Sequence, residues 1–285
     1  MAAKLHQVIR RLFRLWGVYA RIDAGWFLRD SKYCLINIAT DIIGNLSAIS
    51  GVFLLSERFG GIGGMSSDQI LFMLGYASLV EGVILLFFMM GNIGHISRRI
   101  GRGQLDHMLI QPLPIWMQLA TEGFIPVSGN SMLLCGAGLT AYAMTRLHMA
   151  VTPAWALWLA VNIAASVAVI LAVSNIVGTL AFYAPVAAEE ISTTAFDLFS
   201  TTKSYPLGGL SGTAKIVLCT VLPVGLAAWF PANVLLGQRP AGFPALLLVM
   251  AALLFVILAS ILFRKGMKYY ATSGSIRYHD RGHRR

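Results

Sequence analysis

Six apolar stretches, separated by loops alternately rich and poor in Lys and Arg, leave this chain few folds to choose from. One helix needs about 20 apolar residues to cross the hydrocarbon core of a bilayer. The candidate spans are residues 33–55, 70–90, 124–144, 155–182, 214–230 and 243–263. The segment before the first span holds Lys4, Arg10, Arg11, Arg14, Arg21, Arg29 and Lys32. Arg98, Arg99 and Arg102 follow the second span, and Lys203 and Lys215 flank the fourth-to-fifth connection. The tail carries Arg264, Lys265, Lys268, Arg277, Arg281, Arg284 and Arg285. The other three loops carry only Arg58, Arg146 and Arg239. A bias of 19 to 3 predicts that both termini lie in the cytoplasm.

The expected fold is therefore all-α and polytopic. Residues 1–32 form an interfacial segment, 33–263 a six-helix membrane domain, and 264–285 a basic cytoplasmic tail. At 57% hydrophobic and 12% charged, the chain is more apolar than a soluble domain, and six spans leave no room for a separate soluble enzyme. The net charge of +10 is better explained by orientation and anionic headgroups than by nucleic acid. Cys34, Cys135 and Cys219 are too widely spaced for a metal site or a disulfide framework and read as packing residues. No apolar run follows the basic N-terminus closely enough for a cleavable signal peptide.

Residues 5–22 repeat apolar side chains every three or four positions: Leu5, Val8, Ile9, Leu12, Leu15, Trp16, Tyr19 and Ile22. The Arg residues fall largely off that stripe, as in a helix lying at the membrane interface. The loop 56–68, with four Gly, is a turn on the outer side, and its Gly60-x-x-x-Gly64 lies outside any apolar helix. Residues 91–114 form a cytoplasmic loop with Ile93, Ile96, Ile100, Leu105, Met108 and Leu109 at intermittent helical spacing, broken by Gly101 and Gly103 and ended by Pro112 and Pro114. A short surface helix is expected there. Residues 183–212 form the next cytoplasmic connection, with Glu189, Glu190 and Asp197. Residues 231–244 lie outside and either stay there or re-enter the membrane.

Several polar residues fall inside the spans. Asn37, Asp41 and Asn45, spaced by four, share one face bordered by small Gly44 and Ala48. Glu81 lies within the second span, where an unpaired charge costs at least about 3 kcal/mol. Asn162 with Ser166, and Ser174 with Gly178, share faces of the fourth span. These groups either line a weakly anionic translocation path, Asp41 and Glu81 foremost, or join helices as hydrogen-bonding glue. The chain has no phosphate-binding Gly-rich loop, no His-Glu-x-x-His and no Gly-x-Ser-x-Gly. Catalysis by this polypeptide, and a cofactor of its own, are not expected.

Ordered pieces of the sequence resemble one family. The loop reads Asn92-Ile-Gly-His-Ile-Ser-Arg-Arg-Ile-Gly-Arg-Gly-Gln-Leu-Asp106 and continues through Leu109, Ile110, Gln111, Pro112, Leu113 and Pro114. Tyr205-Pro206-Leu207 precedes the fifth span, and Pro223 and Pro231-Ala-Asn-Val-Leu-Leu-Gly237 follow. Residues 270–274 are similar to a closing Tyr-x-Ser-x-Gly, with Thr272 for the Ser. Together they resemble the membrane-spanning permease subunits of ATP-binding-cassette exporters of the second type. The resemblance implies a bacterial inner-membrane exporter. Two permease subunits, identical or paralogous, would sit on two copies of a separate ATPase that binds the ATP and Mg. It also implies that residues 5–22 and 93–109 meet the ATPase, which singles out Ile96, Arg98, Arg99, Ile100, Arg102, Leu105 and Asp106. Gln111 stands where the family has Arg, so no role for that Arg carries over. The path residues are compatible with an amphipathic, cationic cargo. The alternatives are a lipid-modifying membrane enzyme, supported only by the 189–197 acids, and a membrane anchor or assembly subunit.

Overall fold

The computed structural model describes residues 2–88, 96–202, 204–238 and 243–273. The described residues form helices α1 (Ala2–Arg29), α2 (Ser31–Phe59), α3 (Ser67–Phe88), α4 (Ile96–Gly101), α5 (Gln104–Ile110) and α6 (Ile115–Thr121). There follow α7 (Ser131–Arg146), α8 (Pro153–Gly178), α9 (Ala188–Thr202), α10 (Gly212–Thr220), α11 (Trp229–Leu235) and α12 (Phe243–Ser273). Short 3₁₀ turns extend α8 and link α8 to α9 and α10 to α11. No strand occurs among the described residues beyond isolated bridges.

α3 is the centre of the bundle. Ile70, Phe72, Met73, Leu74 and Tyr76 are all buried, so α3 has no face turned wholly to lipid. Lipid tails are as apolar as Leu, so helices in a membrane cohere by close contact and hydrogen bonds rather than by apolar burial. The α3–α7 contact works this way. A Cβ on Gly82 would lie 2.4 Å from the Leu133 amide nitrogen, and one on Gly136 would lie 2.5 Å from that of Leu79. Only glycine permits such an approach. The Tyr76 and Ser166 hydroxyls pair at 2.9 Å, and Ser166 also donates to the Leu226 carbonyl at 3.0 Å, joining α3, α8 and the α10–α11 link.

The bundle has two ends. At the far end, Arg146 pairs with Asp68 at 3.3 Å and the Trp155 indole donates to the Leu235 carbonyl at 3.1 Å. Gly63, with φ +62, lies so near the 207–209 turn that a Cβ would be 2.9 Å from the Gly209 nitrogen. At the terminal end, Trp16 on α1 donates to the Ala120 carbonyl, Ser97 donates to the Ala188 carbonyl, and Gly266 lies under the Phe182 ring.

This arrangement corrects the expected connection over 183–212. Ala188 is at the terminal end, Phe199 is buried in the main core, and Gly208 abuts Gly63 at the far end. The segment therefore runs the length of the bundle, with α9 as its body. Lys203 lies outside the described residues.

The expected fifth span changes as well. Four helical segments, Ser31–Phe59, Ser67–Phe88, Pro153–Phe182 and Leu246–Ser273, are long and apolar enough to cross a membrane. The pair Gly212–Thr220 and Pro223–Leu235 makes up to five if it counts as one, but it bends by 73°. It starts beside the 207–209 turn and returns to Trp155, both at the far end, so it is a hairpin with both ends there. Pro223, at the start of the linking 3₁₀ turn, cannot continue α10. The Ser166–Leu226 bond puts the hairpin's tip 11 residues, about 16 Å, along α8 from Trp155.

The third expected span is shorter than 124–144. Its helix begins at Ser131 because Asp23 of α1 accepts hydrogen bonds from the Val127 and Ser128 amides at 2.7 and 3.2 Å and from the Ser128 hydroxyl. Asp23 is buried there, so α1 is pinned to the foot of α7.

Candidate functional site

The loop expected to be a surface helix forms two, α4 and α5, hinged at Gly103 (φ +68). Residues 89–95, including Ile93, lie outside the described residues. Ile96, Ile100, Leu105 and Met108 pack with Leu119, Ala181, Phe182, Ala188 and Tyr270 into a second core, separate from the one around α3. Small residues allow the approach: Ile96 covers Gly178, and a Cβ on Gly101 would lie 2.4 Å from that of Ala188.

Polar contacts fix the same element. Arg99 donates to Glu122 at 2.5 Å and to the Met108 sulfur at 3.5 Å. The buried Gln118 amide donates to the Met108 and Leu113 carbonyls at 2.9 and 2.8 Å. Tyr270, on the last turn of α12, donates to the Asp106 carboxylate at 2.8 Å. Burial first, and the Glu122 carboxylate second, push the Tyr19 phenol above its ordinary pKa.

Ile96, Ile100 and Leu105, which the resemblance set against the ATPase, are buried within the chain at 0%, 2% and 0% exposed. They bind the element to the feet of α8, α9 and α12. Facing outward are Arg102, Asp106, His107, Leu109 and Ile110, the last 81% exposed. Arg98 is half-buried, and its Nε finds no hydrogen-bond partner. The outward apolar pair is Leu109, which belongs to the periodic set, and Ile110, which periodicity did not single out. The break at Gly103 resets the helical phase after α4, which is why a single stripe drawn through both helices misleads.

The polar stripe on α2 divides. Asn45 donates to the Ser78 hydroxyl at 3.1 Å and the Cys135 sulfur at 3.4 Å, and accepts from Ser78 at 3.3 Å. It joins α2, α3 and α7, as the glue reading held. Asp41 accepts from Ser131 at 3.2 Å and is otherwise exposed, as is Asn37. Because α2 and α3 are antiparallel, the Asn45–Ser78 bond sets Asp41 level with residues 81 and 82. Glu81 is half-buried at that level. Most of α2 meets no other part of the chain, and Ile36, Ile43 and Leu54 are exposed.

Ser166 is used in packing, whereas Asn162 Oδ1 and the Ser174 hydroxyl are buried without a hydrogen-bond partner. Glu190 and Asp197 are exposed on α9. No group of His, Cys, Asp or Glu among the described residues could hold a metal ion.

A family model described as ABC-2 family transporter protein matches residues 42–274, from the middle of α2 to just beyond α12. No curated protein and no solved structure matches the chain. The match takes in the α3–α7 pair, α4, α5 and the bent α10–α11 pair. By that span, the chain belongs to the ABC-2 family of transporter membrane proteins.

Proposed function

We propose that the chain is the permease subunit of an exporter, that a separate ATPase drives it, and that α4–α5 is where the ATPase acts. ABC-2 membrane proteins typically partner with ABC ATPases. One observation carries the reading: α4–α5 is fused by its own core to the feet of α8, α9 and α12, while Leu109 and Ile110 stay exposed. A force on the exposed tip would reach three long helices as one rigid body. Coupling of this kind needs a contiguous, well-packed element rather than a loose loop.

In this reading α2, α3, α7, α8, α9 and α12 cross the membrane, and α10–α11 re-enters it from the far side. Both termini are cytoplasmic. With Lys215 counted at the far end and Lys203 left out, the cation bias is 17 to 4 and still favours that orientation. The bare face of α2 suits a second permease subunit, identical or paralogous, each seated on one ATPase copy.

Asp41 and Glu81, level on adjacent helices, would line the path of an amphipathic, cationic cargo. An acid is kept inside a membrane at a cost when it handles charge or polarity. Inverted vesicles holding the permease and its ATPase test this with matched cationic and neutral amphiphiles. Glu81→Gln lowers uptake of the cations several-fold more than that of the neutral compounds at equal protein level. Equal loss for both classes would make Glu81 structural.

A further inference from the structure

Between α6, α8 and α12 lies a cavity of about 380 Å³ that the reading above does not use. Its walls are mostly apolar, with Trp116, Ala168, Ala172, Val256, Ala259 and Phe263 among them, and Asn175 and Ser260 are its polar lining residues. The Ser260 hydroxyl is satisfied by the Val256 carbonyl at 2.7 Å.

The position of the cavity along the helices decides what it meets. On α12 the lining ends at Phe263, and Arg264 and Lys265 come next. The boundary between hydrocarbon and headgroups therefore falls at the cavity's lip. From Phe263 back to Val256 is about 10 Å of helix, less than one leaflet of a core about 30 Å thick. Trp116, 52% exposed, stands at the same lip, where amphipathic rings settle. The cavity thus lies at acyl-chain depth in the leaflet nearest the termini.

Charge continues the line. Ser260, Arg264 and Lys268 succeed one another at intervals of four on α12, so they form a row leading from the cavity toward the headgroup layer. Arg264 and Lys268 are exposed. An apolar slot under two cations matches a chain-bearing anion and does not match a cationic cargo.

We propose that this cavity holds one acyl chain of an anionic glycerophospholipid, with its phosphate on Arg264 and Lys268. The site rests on membrane insertion of the chain and is independent of the cargo. The lipid would wedge α6, which ends the coupling element, against α8 and α12. Its presence would then tune how firmly that element is held.

The test uses the full chain in nanodiscs of phosphatidylcholine. A minor share of phosphatidylglycerol or phosphatidylcholine carries bromine on its acyl chains. Bromine quenches tryptophan on near contact, and the difference between wild type and Trp116→Phe isolates the Trp116 signal. Brominated phosphatidylglycerol is expected to quench Trp116 several-fold more than brominated phosphatidylcholine, about fivefold for each cation engaged. Arg264→Gln with Lys268→Gln, both on the surface, brings that ratio to about one. Ala259→Phe fills the slot and lowers quenching by both lipids, whereas Leu254→Trp, measured with Trp116 replaced, shows no preference on the exposed face of the same helix. Equal quenching by the two lipids in the wild type, or an unchanged ratio in the doubly neutralised variant, would overturn the proposal.

Discussion

The Tyr270 hydroxyl and the Asp106 carboxylate are joined at 2.8 Å across 164 residues, tying α12 to α5. The Tyr270 ring is buried against Phe182, so the bond is held by packing on one side and meets solvent on the other. Tyr270→Phe keeps the packing and removes the bond. It should cost about 1 kcal/mol, below the usual range for a hydrogen bond to a charged group, because Asp106 is exposed. The expected result is a drop of a few degrees in the melting temperature of the purified protein and weaker stimulation of the ATPase, with normal abundance. Asp106→Asn retains an acceptor and should lose less.

The α3–α7 contact makes a sharper prediction about stability. Gly136→Ala sets a methyl group 2.5 Å from the Leu79 nitrogen, so the helices must separate. A Cβ on Gly138, two residues along the same helix, meets nothing within 4 Å. Gly136→Ala should cost about 2 kcal/mol or more, in the range of overpacked cores. Gly138→Ala should be neutral or slightly stabilising, by up to about 1 kcal/mol, because alanine favours the helix. Thermal unfolding in detergent separates the two outcomes. Equal melting temperatures would mean that the glycines do not set the helix spacing.

Labelling with a membrane-impermeant thiol reagent tests the revised path of the chain in a background without the native cysteines. Cysteines at Gly61, Thr152, Ser211 and Gln238 should react from outside intact cells, and one at Arg102 should not. Ser211 carries the information. Protection there, with Gly61 labelled, would return residues 183–212 to the cytoplasmic side and remove the re-entrant hairpin.

What could be read from sequence follows hydropathy closely. α2, α3, α8 and α12 stood out because each holds a long apolar window. α9 did not, because Glu189, Glu190, Asp197 and several Ser and Thr make it polar for a helix that runs the length of the bundle. Residues 214–230 read as one unbroken span because apolar length alone does not show a bend. Pro223 was the visible sign of the bend. In α4, periodicity showed Ile96 and Ile100 on one face but not what that face meets. It meets Ala188 and Gly178 of the same chain, a contact set by tertiary structure. Asp41 and Glu81 came out at one level, with Asn45 about one turn away beside Ser78. Only the structure separates bonded Asn45 from largely exposed Asp41.

The coupling role of α4–α5 is tested most directly by ATP hydrolysis in proteoliposomes that contain the permease and its ATPase. Ile110→Asp alters an exposed side chain and should insert normally, yet abolish cargo-stimulated hydrolysis. Ile100→Asp puts a charge into the second core and should lower abundance instead, since an unpaired buried charge costs several kcal/mol. The account predicts this split between activity loss and abundance loss. Full stimulation in well-inserted Ile110→Asp, and equally in Leu109→Asp, would contradict it.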